Sequence, residues 1–574
     1  MKNFVAFFLF SLMVVNGSLA QNTYLQLGSE AYDLLDRLET KQGFVTARFF
    51  SGLKPVSRKG AVAFWELAKA DTVHLTQNDQ YNIEQQIAYS GEWTKNEDGA
   101  LNAAKPFGKI FYKKQSDMFH IKTPDFFLVI NPVFSVQGLY EQATGFQGKR
   151  LMSSRGMEAR GWISKRIGFY TMFTDNQEQP TSFAKRWIDK YQAVPGVDYY
   201  KDDNPSYYDY MMARGYIDVS TLKDKMHFSF GYDKHFIGDG IRSLFLSDFA
   251  APATFFRVNT KVWIFDYQNL FLELVSNFNR GTAASGGDIL YPHKYAAIHT
   301  LSMKVNKHLN ISVFESVIFG NRNRFEYSYL NPVIFYRAIQ RQLGDPDNAN
   351  LGLSFKAIPC NNVQLYGQFL LDDFHAKEMI AGNGYWANKW GLQLGAKYFD
   401  AFHIPNLDLQ GEMNVVRPYT YSHYDSASNY THYNQPLAHP LGSNFVEAIA
   451  KVRYCIDKDV YLHLKTIWYA KGVDTGSANY GGDIFKNYYT ATTTTGNPAD
   501  WLYHHSLLSG VQVNGLYTDL CISYQYKPNV FLDFGGTYRS FQYKALGLAA
   551  ETSTYFYGGL RINIGRREYD LLDW

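Results

Sequence analysis

Cysteine is scarce in this chain, and neither sign of charge is in large excess. The three cysteines, Cys360, Cys455 and Cys521, are too few and too far apart for a disulfide framework or a zinc cluster. The 56 Lys and Arg residues nearly balance the 53 Asp and Glu residues, which leaves a formal charge of +3. Because phosphate binding needs concentrated positive charge, this balance argues against a nucleic-acid partner.

Long apolar runs are missing beyond the first twenty residues. The nearest approach, residues 126–134, is interrupted by Asn131 and Pro132. A helix that spans a bilayer needs about 20 apolar residues, so we expect no transmembrane helix in the mature chain. Residues 1–20 have a positive start, an apolar run over residues 4–15 and small residues at the end. They predict a cleaved secretory signal peptide.

Aromatic side chains are abundant. Aromatics make up 17% of the chain and charged residues 19%, while the mean hydropathy is only −0.29. So much aromatic surface in a chain that is polar on average argues against both a disordered protein and a helical membrane protein. Residues 21–108 carry three amphipathic helical patterns, the third opened by Thr76 and Asp79 as a capping box. We predict a small periplasmic helical segment there, with a docked pro-segment as the alternative.

From residue 109 onward the pattern of apolar and polar residues has period two. Residues 445–454 and 460–468 alternate on either side of the short turn 457–459, and several other segments do the same. A soluble sandwich also alternates, but its shared core limits its size. Here the alternation continues for about 450 residues without a linker. It predicts an all-β transmembrane barrel of about 18 antiparallel strands in the bacterial outer membrane.

The connections between the predicted strands are of two kinds, short turns and long loops. Short turns such as Ser164-Lys165 are expected to face the periplasm, and the long polar stretches 177–211, 419–443 and 471–506 are expected to be extracellular loops. The predicted barrel covers residues 109–565, and residues 566–574 form a C-terminal tail.

One helical pattern interrupts the strands. Asn331 and Pro332 are typical of a helix start, and Gly344 of a helix end. A helix inserted here either lies over a loop or folds into the lumen as a plug. Its polar residues include Arg337 and Arg341, which suit a polar lumen, so we predict a plug helix and count both arginines as candidate ligand-binding residues.

Catalytic motifs are absent from the sequence. His375 and Glu378 have helical spacing, but no second His completes a zinc-protease motif. Asp372 and Asp373 are neighbours on a predicted strand, so their carboxylates point to opposite faces, the wrong geometry for a glycosidase pair. No phosphate loop or nucleophile elbow is found. We predict that the protein is not an enzyme and needs no metal or cofactor.

Ligand binding has better candidates. In residues 238–243 two glycines would let the backbone approach a partner, while Asp239 and Arg242 offer hydrogen bonds. The alternative is a strand turn closed by an ion pair between these two residues.

A second candidate lies at the mouth of a strand. Arg417, Tyr419, Tyr421 and His423 form a cluster there, and tyrosine rings can stack on sugar rings while their hydroxyls form hydrogen bonds. The alternative is that these tyrosines belong to the aromatic girdle at the membrane interface.

These residues resemble a known family. The segment 231–247, followed by Ala250-Ala251-Pro252, resembles part of the Wzi-type capsule-assembly outer-membrane proteins. The stretches 329–332, 417–421 and 439–442 are more similar to the Bacteroidetes branch, which includes the gliding-motility protein RemB. The sequence departs from the Wzi pattern at Ile237 and Asp239 and in its longer loops, so sugar specificity does not transfer directly.

The resemblance implies an 18-stranded barrel, closed by a helix and loops, that holds capsular polysaccharide or exopolysaccharide at the cell surface. In the RemB-like branch it also implies a part in gliding and a partner in the gliding or surface-secretion machinery. Two other functions stay open. An outer-membrane channel or transporter would conduct, and a secreted polysaccharide-active enzyme would be soluble without detergent.

Overall fold

The computed structural model describes most of the chain. The described residues are 22–70, 75–94, 102–103, 110–201, 207–222, 224–278, 290–322, 324–333, 335–476, 478–490, 502–544 and 547–570. The predicted signal peptide lies outside them.

Eighteen antiparallel strands close into a barrel, which confirms the predicted fold class. Each strand pairs with the next in the sequence, and the last pairs with the first, with Ile562 opposite Phe134. Strands β1 to β18 are Phe126–Ala143, Phe146–Ile163, Ile167–Glu178, Tyr208–Thr221, Met226–Asp233, Ala253–Val262, Phe265–Val275, His293–Asn306, Leu309–Phe319, Asn348–Cys360, Val363–Asp373, Lys389–Tyr398, Leu407–Val416, Phe445–Asp457, Val460–Val473, Val511–Lys527, Val530–Tyr543 and Glu551–Ile562. A short strand, Phe119–Lys122, pairs with the start of β1.

Side chains alternate between the two faces of the wall. In the β14–β15 hairpin, Trp468 points outward and is 45% exposed, whereas Glu447 points inward and is fully buried. A wall with apolar side chains outside and polar side chains inside is what a barrel in lipid requires. The large exposed apolar side chains of the outer face include Phe134, Leu151, Met157, Phe173, Ile217, Phe230, Leu301, Val313, Leu353, Phe369, Leu394, Met413, Leu520, Phe534 and Phe556.

The two ends of the barrel differ. At one end, called the turn end here, short connections such as 164–166, 307–308 and 458–459 join the strands. Ser164 and Lys165 both have positive φ (51° and 53°), as a tight hairpin turn requires. At the opposite end, called the loop end, the connections include the long segments 179–207, 417–444 and 474–510.

In the part of the chain that the structure describes, six α-helices accompany the barrel. Thr76 and Asp79 form the predicted capping box. Among the described residues, none of the helices is both long enough and apolar enough to cross a bilayer. Helices α1 to α6 are Ala31–Lys41, Arg58–Lys69, Gln77–Tyr89, Ser182–Tyr191, Tyr336–Gln342 and Ala376–Ala381, and short 3₁₀ turns cover Gly91–Trp93, Tyr327–Leu330, Ala401–His403, Ser426–Ser428 and Tyr488–Thr490.

The N-terminal helical segment closes the turn end. Tyr81 donates a hydrogen bond to Asp459 in a turn (2.5 Å), and the Val45 amide donates to the Lys307 carbonyl in another (2.8 Å). Helix α1 faces the lumen with charged side chains, and its Asp36 pairs with Lys397 of the inner wall at 2.6 Å. The segment is therefore held to the barrel by its polar residues.

The connection between β5 and β6, residues 234–252, folds into the lumen. Its short strand Phe236–Ile237 pairs with Leu53–Lys54 of the N-terminal segment. Leu244 and Phe245 are fully buried, and the Phe245 ring stacks on Phe314 of the inner wall, with centroids 4.4 Å apart. We call residues 234–252 the infolded loop. An apolar core thus forms inside a polar barrel.

The C-terminal tail also enters the lumen. Beyond β18, Arg566 donates to Asp519 of the inner wall at 2.7 Å. Tyr569 is buried in an apolar cluster with Trp187 of α4, which lies in a loop-end connection. The tail therefore runs from the turn end back toward the loop end inside the barrel.

Helix α5 is present where a helix was predicted, but its predicted location in the lumen is wrong. Its Tyr336 and Ile339 pack on Ala297 and Val317. These two residues alternate in phase with Leu301 and Val313, which are 40% and 44% exposed on the outer face. The helix therefore lies against the outside of the barrel. Its amphipathic pattern fits either face, and the apolar stripe of the outer wall at β7–β9 provides the matching surface.

Candidate functional site

Aromatic side chains from three connections meet at the loop end. The contributing segments are 374–388, 417–444 and 474–510. We call these six rings the loop-end aromatic cluster: Tyr385, Trp386, Tyr424, Tyr488, Tyr489 and Tyr503.

The cluster has a buried base and an exposed top. Trp386 is 9% exposed and lies 4.5 Å from Tyr488 between ring centroids, whereas Tyr489 is 64% exposed. Tyr489 lies 4.8 Å from Tyr488 and 6.0 Å from Tyr424. A graded set of rings of this kind offers flat apolar faces with hydroxyls at their rims.

A buried cation supports the base. Lys389 Nζ lies 4.6 Å from the Tyr488 ring centroid and 5.2 Å from that of Trp386. Asp372 lies 3.8 Å from the same ammonium group. Because the cation–π contacts are desolvated, they hold both rings in place. Burial raises the pKa of the Tyr488 hydroxyl, so it stays protonated and can donate a hydrogen bond.

The structure places the predicted tyrosines beneath this cluster. Tyr419 is 1% exposed, and its hydroxyl donates to the Asn479 carbonyl at 2.9 Å. Tyr421 is equally buried, and its hydroxyl donates to the Leu244 carbonyl of the infolded loop at 2.8 Å. Neither ring is free to stack on a ligand. Tyr421 fixes the infolded loop, and Tyr419 supports Trp386 edge to face at 6.0 Å.

The backbone at these tyrosines adopts an uncommon conformation. Tyr419 and Tyr421 have φ values of +64° and +72°, in the left-handed region that bulky residues rarely adopt. Gly481 leaves room for the Tyr419 backbone in this conformation, because a Cβ on residue 481 would lie 2.5 Å from the Tyr419 amide nitrogen. Packing from several connections therefore determines this turn, which local sequence would not favour.

Arg417 and His423 lie at the edge of the cluster. Arg417 is partly exposed and donates to the His505 carbonyl at 3.0 Å. His423 is 8% exposed, and its ring lies 4.3 Å from that of Tyr424. Burial, with a contribution from Lys389, lowers the pKa of His423 to about 4, so the ring is neutral near pH 7.

Asp239 and Arg242 lie inside the lumen, and the ion pair between them that was the alternative expectation is not formed. Asp239 accepts a hydrogen bond from Ser51 of the N-terminal segment at 2.7 Å. Arg242 pairs with Asp570 of the C-terminal tail at 3.0 Å. The two side chains do not pair with each other, because each faces a different segment that enters the barrel. Asp239 joins the infolded loop to the N-terminal segment, and Arg242 joins it to the C-terminal tail.

The glycines of this motif do allow a close approach, and the partner belongs to the protein. The amides of Ile241 and Arg242 donate to the Glu412 carboxylate of the inner wall at 2.6 and 3.0 Å. A Cβ on Gly240 would lie 2.5 Å from that carboxylate. The motif therefore anchors the infolded loop.

Arg337 and Arg341 lie on α5, outside the barrel. Both are exposed, and Arg337 donates to Gln340 at 2.9 Å and lies 3.8 Å from Asp345. The structure thus divides the eight predicted site residues among three places, and only the group from Arg417 to His423 adjoins the loop-end aromatic cluster.

The stretch 417–424, which contributes Tyr424 to the cluster, was identified as a candidate from the sequence, but the paired rings of the other two connections were missed. Two local signals mark them, Tyr385-Trp386 and Tyr488-Tyr489, each in a polar connection rich in glycine and asparagine. Which rings meet depends on how three distant connections fold over the barrel, and that is not visible in the sequence. Among the described residues, no group of three or more His, Cys, Asp or Glu side chains is arranged to hold a metal ion.

No family model matches the sequence, and neither does any curated protein. Among solved structures, the fold is similar to that of Wzi from Escherichia coli, described as a carbohydrate-binding β-barrel involved in group 1 capsule assembly. The similarity covers 95% of this chain and 100% of Wzi, at 12% identity and a TM-score of 0.55. The outer-membrane protein OprD from Pseudomonas aeruginosa also matches, at 11% identity over 76% of this chain and 94% of OprD, with a TM-score of 0.39.

The fold is that of an outer-membrane β-barrel. At the level of architecture, the predicted likeness to Wzi-type barrels is confirmed. The Bacteroidetes branch and its link to gliding stay predictions.

Proposed function

We propose that this protein is a non-enzymatic barrel that binds capsular polysaccharide or exopolysaccharide at the cell surface through the loop-end aromatic cluster. In this proposal the loop end faces outward from the cell, and the N-terminal segment lies on the periplasmic side. Tyr424 and Tyr489 stack on sugar rings, and Arg417 lies close enough to the cluster to donate to sugar hydroxyls or carboxylates.

The main support for this proposal is that the rings of the cluster range from buried at the base to exposed at the top. Tyr489 presents a ring that is 64% exposed above a base fixed by a buried lysine. Exposed aromatic rings on a rigid base are suited to stack on sugars at a small entropic cost. The fold of Wzi, a carbohydrate-binding barrel, is consistent with such a role.

The two alternatives are less consistent with the structure. The lumen holds the infolded loop, the N-terminal segment and the C-terminal tail, which leaves little room for a channel in this conformation. A secreted soluble enzyme would not expose an apolar outer face such as that of Trp468, Phe534 and Phe556.

Replacing both Tyr424 and Tyr489 by alanine should weaken glycan binding. Each stacking ring contributes roughly 0.5–1.5 kcal/mol, so the double variant should bind about 5- to 150-fold more weakly. The probe is capsular polysaccharide extracted from the producing strain, titrated against the purified protein by calorimetry.

Tyr199→Ala is the matched control, because Tyr199 is a loop-end tyrosine that is 52% exposed and lies outside the cluster. Unchanged affinity in the double variant, or an equal loss in the control, would remove the cluster from consideration.

We infer a part in gliding from the sequence resemblance alone. A strain that lacks this protein should then spread more slowly on a surface, and the variant that loses glycan binding should spread equally slowly. Wild-type spreading by the deletion strain would contradict this role.

A further inference from the structure

Residues 324–333 and 335–345 form a structure on the outside of the barrel that the proposed function does not use. The segment contains the 3₁₀ turn Tyr327–Leu330 and helix α5, which cover the outer face of β7–β9 toward the loop end. We call it the outer-wall segment. A segment in this position lies between the barrel and the lipid that surrounds it.

Beneath this segment the wall carries polar side chains where lipid-facing residues are expected. Asn269, His299 and Glu315 are direct cross-strand neighbours on the outer face. Each is less than 8% exposed, because the outer-wall segment covers it. Polar groups of this kind are costly in hydrocarbon, so the cover lowers the cost of placing this part of the wall in a membrane.

Specific contacts hold the cover in place. The Tyr336 ring lies 4.0 Å from the His299 ring, and the Arg337 amide donates to Glu315 at 3.4 Å. Tyr267 of β7 donates to the Pro332 carbonyl at 2.5 Å. These contacts hold Pro332, Tyr336 and Arg337 close to the wall.

The opposite side of the segment exposes apolar and basic side chains together. Val333 is 84% exposed and Phe335 is 66% exposed. Arg324, Arg337 and Arg341 are also exposed. Among the described residues no ion pair joins Arg324 or Arg341 to a carboxylate, and Arg337 has only the exposed contact with Asp345 at 3.8 Å. Apolar residues next to arginines are typical of peptide segments that insert into an anionic membrane interface.

The geometry points to a lipid-binding surface: the outer-wall segment inserts Val333 and Phe335 into the leaflet at the loop end, and Arg337 and Arg341 bind the phosphate groups of anionic lipid headgroups there. The position of the segment fits a lipid ligand, because lipids of the loop-end leaflet surround the barrel wall at β7–β9. The charge fits as well, since the arginine guanidinium binds phosphate oxygens in a bidentate manner.

The first experiment measures the depth of Val333. A nitroxide label is attached at Val333→Cys in a Cys360→Ser background, since Cys455 and Cys521 are buried. The protein is placed in vesicles of phosphatidylcholine and phosphatidylglycerol. Collision of the label with oxygen, which partitions into lipid, is compared with collision with a water-soluble nickel complex.

Two reference sites set the scale for this measurement. Leu301→Cys, on the same outer face, gives the lipid value, and Tyr199→Cys, on a loop-end connection, gives the water value. A Val333 label that matches Leu301 supports the inference. A label that matches Tyr199 overturns it.

The second experiment tests the arginines. In the Arg337→Gln/Arg341→Gln variant, retention of phosphatidylglycerol should fall about 30-fold by native mass spectrometry, because each basic residue near an anionic surface contributes about 1 kcal/mol. Arg155→Gln is the matched control, since Arg155 is also on the outer face but pairs with Asp175 at 2.7 Å. Unchanged retention in the double variant overturns the inference.

Polysaccharide binding separates this inference from the proposed function. The Arg337→Gln/Arg341→Gln variant should bind the extracted polysaccharide as the wild type does. If it loses the polysaccharide and keeps phosphatidylglycerol, the arginines are glycan ligands, as the sequence predicted, and the lipid assignment is wrong.

Discussion

In a planar bilayer the intact protein is expected to conduct no ions, and a variant that lacks both the N-terminal segment (22–94) and the infolded loop is expected to conduct. An empty barrel of this strand number leaves an aqueous channel. The apolar core around Leu244 and Phe245 fills it. The C-terminal tail stays in place, but removing these two larger obstructions should change the single-channel current from none to open steps.

Deleting residues 332–344 is the matched control for this experiment. Because α5 lies on the outer face, its removal should leave the bilayer current at zero. Both variants should still show the heat-dependent shift in electrophoretic mobility that marks a folded barrel. Conduction by the intact protein, or by the control, would contradict the arrangement of the lumen described above.

Replacing Arg37 by alanine should release the N-terminal segment from the barrel. Arg37 is 2% exposed and contacts Asp79 at 2.6 Å, Asp408 at 2.5 Å and Asp400 at 2.7 Å. Without it, Asp79 and Asp400 keep only Lys41, and Asp408 keeps only Arg453 at 3.6 Å. Breaking a buried ion pair costs about 3–5 kcal/mol in comparable pairs. We expect a protease to cleave the segment much faster in this variant than in the wild type.

An exposed pair on the same segment provides the control. Lys69 and Glu84 are 2.7 Å apart and about half exposed, so Lys69→Ala should change the cleavage rate little. Equal protease sensitivity of the two variants would contradict the role given to Arg37.

The docking of the N-terminal segment should also weaken at acidic pH. Burial alone would raise the pKa of Asp400, in the barrel turn between β12 and β13, but Arg37 and Lys41 of the segment outweigh burial and hold the pKa below 3.8. Its contribution to docking is therefore present above about pH 4 and is lost only as the pH falls toward the lowered value. Protection from acid-active proteases down to about pH 4 would show this.

The barrel could be predicted because a strand in its wall follows a local rule. Alternation in residues 445–454 assigns each side chain to one face, and the structure places Glu447 inside and Ala448 outside as expected. Strand number follows from chain length and the spacing of turns. These features require no knowledge of distant contacts.

The contents of the lumen could not be predicted in the same way. Charged residues of α1, such as Asp36 and Arg37, have the pattern of a solvated helix face, and their partners Lys397 and Asp408 lie more than 300 residues away in the sequence. Local sequence cannot distinguish a carboxylate that faces water from one that faces a lysine of the inner wall.

The candidate site was predicted only in part for a related reason. The sequence identified the tyrosine-rich stretch after β13, but not which rings it buries. Tyr421 is covered by the infolded loop, while Tyr489 from another connection remains exposed. Helix α5 shows the same limit, since its polar residues suit a lumen and a lipid headgroup equally well.

Both ends of the described chain lie within the barrel, and this restricts the order in which the protein can assemble. Pairing of β18 with β1 closes the last seam, and Asp570 beyond β18 already contacts Arg242 of the infolded loop. Inserting the C-terminal tail into a closed barrel would be slow. The tail and the infolded loop should therefore reach their positions before β18 pairs with β1. Pairing of β18 with β1 then encloses the infolded loop and the tail. This pairing joins residues that are far apart in sequence, so it should be a slow step of folding.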